Sequence, residues 1–279
     1  MLQIGLRLHD ARKQPLEPLL AEVSGQGFTC AHLALTKLLK EVPCNPSSLT
    51  PGYAMYLKHA FAAHGLDIAV LGNYLNLANP DEAKLRDIQE MYYAHIRFAS
   101  LLGCAMVGTE TGAPNTTYTS CPECRSDEAL STFIRNLRPV VRCAEQFGVL
   151  VAIEPVAKHI VYNGARARRV LDEIGSHNLQ ILFDPVNLLD MSNVDRREEV
   201  FAEMIELCGP DIGMLHLKDC VFENGGLKSV GATTGEMDYT SVLRWVKKEK
   251  PFLFATLENT TPENAEQCRL NIRRIYDEV

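Results

Sequence analysis

Short apolar runs of strand length recur eight times along the chain, and each gives way to a longer segment whose apolar residues return at helical spacing. The predicted strands are Gln3 to Arg7, Thr29 to Leu35, Asp67 to Leu71, Ala105 to Thr109, Val149 to Glu154, Leu179 to Asp184, Met214 to Asp219 and Leu253 to Glu258. Strands alternating with amphipathic helices specify βα units on a parallel sheet, and eight such units are the number that closes a (β/α)8 TIM barrel. The clearest helix precedes the fifth strand, where Leu130, Phe133, Ile134, Leu137, Val140, Val141 and Ala144 share one face and Gly148 stands as the C′ residue that stops it. Similar stripes follow the third strand (Leu85, Ile88, Met91, His95, Leu102) and the sixth (Val200, Met204, Leu207). Asp238, and Thr261 or Pro262, mark the starts of the last two helices. Three stretches carry no periodicity: Lys37 to Thr50, Gly112 to Asp127 and Cys220 to Gly235. All follow strand C-termini, where a barrel carries its active-site loops. No linker or charge block divides the chain, so a single TIM-barrel domain spanning 1–279 is expected.

Composition narrows the partners. With 35 acidic against 28 basic residues the formal net charge is -7, which disfavours nucleic acid, because phosphate binding needs clustered Lys and Arg. No apolar run approaches the roughly 20 residues that cross a bilayer, and Met1 to Asp10 already reads as a strand, leaving no room for an export signal. An odd count of nine scattered cysteines does not suggest a disulfide framework. The expectation is a cytoplasmic protein with free thiols and no membrane partner. Cys121 and Cys124 form a CPEC, but a zinc site would need a second pair and a thioredoxin-like dithiol its own βαβ setting, so they read as loop cysteines.

Strands five to eight each finish on a metal-ligand type: VAIE at Glu154, ILFD at Asp184, MLHLKD at His216 and ATLE at Glu258. Singly, each acid could cap the following helix. Together, at one mouth of a closed barrel, three carboxylates would repel one another unless a cation neutralised them, so these four residues are expected to hold one divalent metal. Lys218 follows His216 closely enough to hold a substrate oxygen or a carboxylate, and Lys158, beside His159, could meet an anionic substituent. Arg7 and His9 end the first strand, Asn73 and Tyr74 the third and Glu110 the fourth, which places them at the same mouth as candidate pocket residues. His32, inside the run AHLAL, reads as a satisfied core histidine.

The motifs IEPV around Glu154, FDPVN from Phe183 to Asn187, HLKD from His216 to Asp219, GxxxGExDY from Gly231 to Tyr239 and LEN around Glu258 resemble the sugar phosphate isomerase/epimerase family. It lies within the xylose isomerase-like TIM barrel superfamily, with ketose 3-epimerases, hydroxypyruvate isomerases and inosose dehydratases among its members. The resemblance implies a small carbohydrate substrate and one divalent metal, Mn2+ first, with Mg2+, Co2+ and Zn2+ as alternatives. It also implies that Glu154 and Glu258 are both ligands and proton-transfer groups, acting next to a carbonyl through a metal-stabilised enediolate, in a homodimer or homotetramer. Epimerase or isomerase activity is the expected outcome; a lyase or dehydratase acting on a keto-sugar or keto-inositol would use the same site. Asn187 stands where ketose epimerases carry a histidine that contacts the sugar, so it is a candidate substrate contact and a departure from their pattern. The superfamily's three-metal nucleases carry a histidine there too, and further histidines near the seventh strand that this chain lacks.

Overall fold

Closure of the sheet is complete. The computed structural model describes residues 2–223 and 225–279, with Met1 and Asn224 outside the described residues. Seven barrel strands run in order: β1 (Gln3–Arg7), β2 (Cys30–Leu33), β3 (Asp67–Gly72), β4 (Met106–Glu110), β5 (Leu150–Glu154), β6 (Leu179–Phe183) and β7 (Ile212–Glu223). The eighth is β9 (Phe254–Leu257), which pairs in parallel with both β7 and β1, so the ring has no open edge. Inside the ring Cys30, Val70, Met106, Ala152, Leu182 and Met214, one from each of six strands, pack into a compact inner core. The alternate residues, such as Val151, Ile153 and Ile181, face outward into a larger core beneath the helices. This alternation is why the strands read as nearly continuous apolar runs: both faces are covered.

Helices α1 (Leu16–Gly25), α3 (Pro51–Ala63), α4 (Glu82–Leu102), α5 (Asp127–Phe147), α6 (Gly164–Ile174), α7 (Arg197–Cys208), α8 (Thr240–Glu249) and α9 (Ala265–Glu278) form the outer layer, and a short α2 (Leu35–Leu38) follows β2. Several of their ends are fixed by capping residues, and Gly148 stops α5 as expected. Asp81 caps α4 by accepting from the amides of Ala83 and Lys84, Ser126 caps α5 from Ala129, and Gly148 ends α5 in the left-handed conformation at φ 63°. The last helix starts later than Thr261 or Pro262, because Asn264 folds back to accept from the Thr261 amide and closes a turn there.

One expectation fails. The stretch from Cys220 to Gly235 is not irregular throughout: β7 continues to Glu223 and pairs antiparallel with β8 (Gly226–Gly231), making a hairpin over the barrel mouth. The segment offered the signal in Asn-Gly-Gly between two β-favouring runs, a hairpin signature outweighed by the polar residues around it.

His95 on α4 is 1% exposed and donates from Nδ1 to the Met91 carbonyl at 2.9 Å. Burial pushes its pKa down to about 4. The neutral form is therefore the native one, and its contribution to stability, complete above the free-histidine value, is lost as pH falls from about 6.5 towards 4. Between pH 7 and pH 5 the loss from this residue is expected to be about 2 kcal/mol, read as the difference in urea unfolding between the wild type and His95→Gln.

Candidate metal centre

At the C-terminal mouth the four strand-end residues converge and are removed from solvent. Glu154 is 2%, Asp184 1%, His216 0% and Glu258 3% exposed. His216 Nδ1 lies 3.3 Å from Glu154 Oε1 and 3.1 Å from Glu258 Oε1, so one ring nitrogen faces two carboxylates. Asp184 uses Oδ1 to accept from the amides of Val186 and Asn187, at 2.9 and 3.2 Å, and turns Oδ2 towards Lys218 Nζ at 2.7 Å. Lys218 also lies 3.3 Å from Glu258 Oε2, an oxygen that Arg7 approaches to 2.9 Å. Asn187 donates to Glu154 Oε1 at 2.7 Å, while no hydrogen bond among the described residues involves Glu154 Oε2.

Burial and charge shape these groups in opposite directions. Burial raises the Asp184 carboxyl to about 6, against the pull of Lys218. Glu258 is likewise opposed by burial, yet His216, Lys218 and Arg7 together hold it well below the usual carboxylate range. Burial disfavours the charged His216 ring, but Glu258 and Glu154 outweigh it and raise the pKa.

A divalent cation fits this donor set. Glu154, Asp184 and His216 each present a ligand atom within 4.8 Å of the others, as do His32, His216 and Glu258. Arg7 pairs with Asp10 and Glu258, and Lys218 with Asp184 and Glu258, while Glu154 meets neither cation, so the four carboxylates outnumber the two permanent cations by two when His216 is neutral. His216 Nε2 and His32 Nδ1 are buried without a hydrogen-bond partner.

The structure brings most of the expected pocket residues together. A cavity of about 560 Å³ opens above the cluster, and Glu154, Asn187, Lys218 and Glu258 line it with Arg7, His9, Asn73, Tyr74 and Glu110. Arg7 is less available than strand-end geometry suggested: its guanidinium is engaged by Asp10, Asn259 and Glu258. Lys158 does not reach the cavity. His159 N bonds to Val156 O and closes a turn that leaves Lys158 exposed at its corner, while His159 comes within 3.7 Å of Glu110 Oε2. His32 is buried as expected, but not in an apolar core. Its ring stacks parallel to His216 at 5.0 Å, its Nε2 meets the Tyr74 hydroxyl at 2.9 Å and its Nδ1 lies 3.8 Å from Glu258. Its position at the end of β2 was the available signal, masked by the apolar residues around it.

Tyr118 is the residue sequence reasoning passed over. It donates to Glu110 Oε2 at 3.1 Å and stacks on His159 with ring centres 5.3 Å apart. Its loop departs from Gly112, which holds φ 76° and whose missing Cβ would lie 2.3 Å from Asn76 Oδ1. Asn76 in turn donates to the carbonyls of Ala113 and Asn115. Gly112→Ala is expected to cost about 2–3 kcal/mol through backbone strain and the displaced amide, lowering Tm by about 3–5 °C in a thermal melt.

Residues 20–275 match the xylose isomerase-like TIM barrel family. The chain belongs to that family. Three solved structures superpose on this xylose isomerase-like barrel over almost its whole length. 3-Keto-D-glucoside 4-epimerase YcjR from E. coli has a TM-score of 0.75 at 13% identity, covering 98% of this chain and 100% of its own. The IOLI protein, solved with a bound zinc atom, has a TM-score of 0.75 at 16% identity, with 99% and 98% coverage. L-ribulose 3-epimerase has a TM-score of 0.75 at 16% identity, with 100% and 95% coverage. No curated protein matches the chain by sequence. Among the described residues no helix is long and apolar enough to cross a membrane.

Proposed function

We propose that this barrel is a divalent-metal-dependent epimerase or isomerase of a sugar or sugar derivative, with Glu154, Asp184, His216 and Glu258 as the metal seat and Glu154 and Glu258 as the proton-transfer pair. The observation that carries the reading is a buried cluster of three carboxylates and one imidazole, short of positive charge, at the floor of a cavity that can take a small polar molecule. Two of the structural neighbours, a 3-keto-D-glucoside 4-epimerase and an L-ribulose 3-epimerase, support the same reading.

These four residues would hold a divalent cation, which when bound would supply electrophilic stabilisation of negative charge on a substrate oxygen. The protein's own groups do the rest. Glu154 has one oxygen fixed by Asn187 and the other free of protein partners, the arrangement of a base that accepts a carbon-bound proton at Oε2. Glu258 enters from β9, across the mouth from β5, and is kept ionised by Arg7 and Lys218, ready to take or return a proton on the opposite side of a bound substrate. Return to the opposite face of the same carbon gives epimerisation; return to the neighbouring carbon gives isomerisation. Asn187 and Lys218 border the reacting region and are the polar groups placed to orient substrate hydroxyls. The test is incubation of metal-loaded protein with ketoses, aldoses and keto-inositols in D2O. Deuterium appearing at a carbon next to the carbonyl supports the reading; a full panel without exchange refutes it.

A further inference from the structure

The CPEC sequence in the loop between β4 and α5 has no part in the proposed chemistry. In the folded chain its two sulfurs lie 3.8 Å apart. The Cys124 amide bonds to the Cys121 carbonyl at 3.0 Å, so the backbone of this turn already holds the two residues together, with the sulfurs left to close to a bonded separation of about 2.05 Å. We propose that Cys121 and Cys124 are a redox-active dithiol that closes to an intramolecular disulfide and thereby fixes the loop that carries Tyr118 into the cavity.

The two sulfurs are set up differently. Cys121 is half-buried and so the more accessible of the two, and Asn115 donates to its sulfur from Nδ2 at 3.4 Å, which holds that sulfur in place. Asn115 is itself fixed, donating to Thr119 O at 2.7 Å and accepting from the Thr119 amide and the Thr117 hydroxyl. Cys124 is only 2% exposed, and burial pushes its thiol up. Cys121 is therefore the attacking sulfur and Cys124 the resolving one. The Cys121 thiolate attacks one sulfur of a small-molecule disulfide, that S–S bond breaks, and one thiolate leaves. Cys124 then yields its proton to solvent and attacks the Cys121 sulfur of the mixed disulfide, expelling the second thiol. Two protein thiols are oxidised and one disulfide is reduced to two thiols. Tyr118, three residues before Cys121, holds a left-handed φ of 58° while it reaches Glu110, so a tie at Cys121 restrains the segment on which that reach depends.

The test uses the full chain, reduced and then incubated with oxidised glutathione, followed by intact mass, non-reducing peptide mapping and amide hydrogen exchange. Expected are the loss of two hydrogens, a bond mapped to Cys121–Cys124, and at least fivefold slower exchange across Asn115 to Ser126. Cys124→Ser should stop at a glutathione adduct on Cys121, whereas Cys121→Ser should leave Cys124 unmodified. A wild type that stays reduced, keeps a stable adduct on Cys121, forms its bond elsewhere or shows unchanged loop exchange overturns the proposal. None of these readouts depends on the epimerase reading.

Discussion

Replacing Glu154 or Glu258 by glutamine is expected to lower the rate of solvent deuterium exchange into substrate by at least about a thousandfold, since each change removes a proton-transfer group and weakens the seat for the metal. The two variants should part company in stability. Glu154 meets Asn187, a contact that a glutamine oxygen can keep, and His216 at 3.3 Å, but neither Arg7 nor Lys218, so Glu154→Gln should lose less Tm than Glu258→Gln. Glu258 is the common partner of Arg7, Lys218 and His216, and its neutralisation removes three buried charged contacts at once, although Asp10 and Asp184 still pair with the two cations. Removing one member of a buried ion pair costs about 3–5 kcal/mol. Glu258→Gln should therefore lose exchange and several degrees of Tm together. Exchange surviving in both variants would show that other groups move the proton.

Lys218→Met should have the second largest effect, in opposite senses on stability and on metal binding. The ammonium is 6% exposed and sits on Asp184 Oδ2, the oxygen left over once backbone amides have taken Oδ1, and close to Glu258 Oε2. Without it, the metal-stripped protein keeps three buried carboxylates with one fewer counter-charge, and Tm should fall by about 10 °C, the equivalent of about 3–5 kcal/mol. Yet those oxygens are the ones a metal would use. A competing cation removed, the variant should bind Mn2+ about tenfold more tightly by calorimetry and recover most of its lost Tm when the metal is added. An unchanged Tm in the stripped protein, or weaker metal binding, would mean that Lys218 is not the internal counter-ion.

The barrel and four of its site residues were legible because both depend on local patterns. An inward and outward covered strand reads as an apolar run, and a carboxylate at its C-terminal end interrupts that run abruptly, as at Glu154, Asp184 and Glu258. What the sequence hid depends on direction. His32 ends β2 among apolar neighbours and reads as packing until ring closure brings β2 to within reach of β7 and β9. Lys158 and His159 are adjacent, and only the Val156 to His159 turn decides that His159 turns towards Glu110 and Tyr118 while Lys158 is exposed. Tyr118 belongs to a loop without periodicity, where contact with Glu110 rests on a left-handed residue that composition does not announce. Asn187 stood out as a departure from the ketose epimerases, and its bond to Glu154 gives it a physical role, since it fixes one oxygen of the proposed base so that the other faces the cavity.

Calorimetric titration of chelator-stripped protein with Mn2+, repeated on Asp184→Asn and His216→Gln, tests the central claim most directly. Asp184 and His216 are buried in the cluster and have no proposed role except as ligands. The account predicts one ion per chain in the wild type and affinity weakened at least a hundredfold in each variant. A wild type that binds no divalent ion, or variants that bind it as tightly as the wild type, would contradict it.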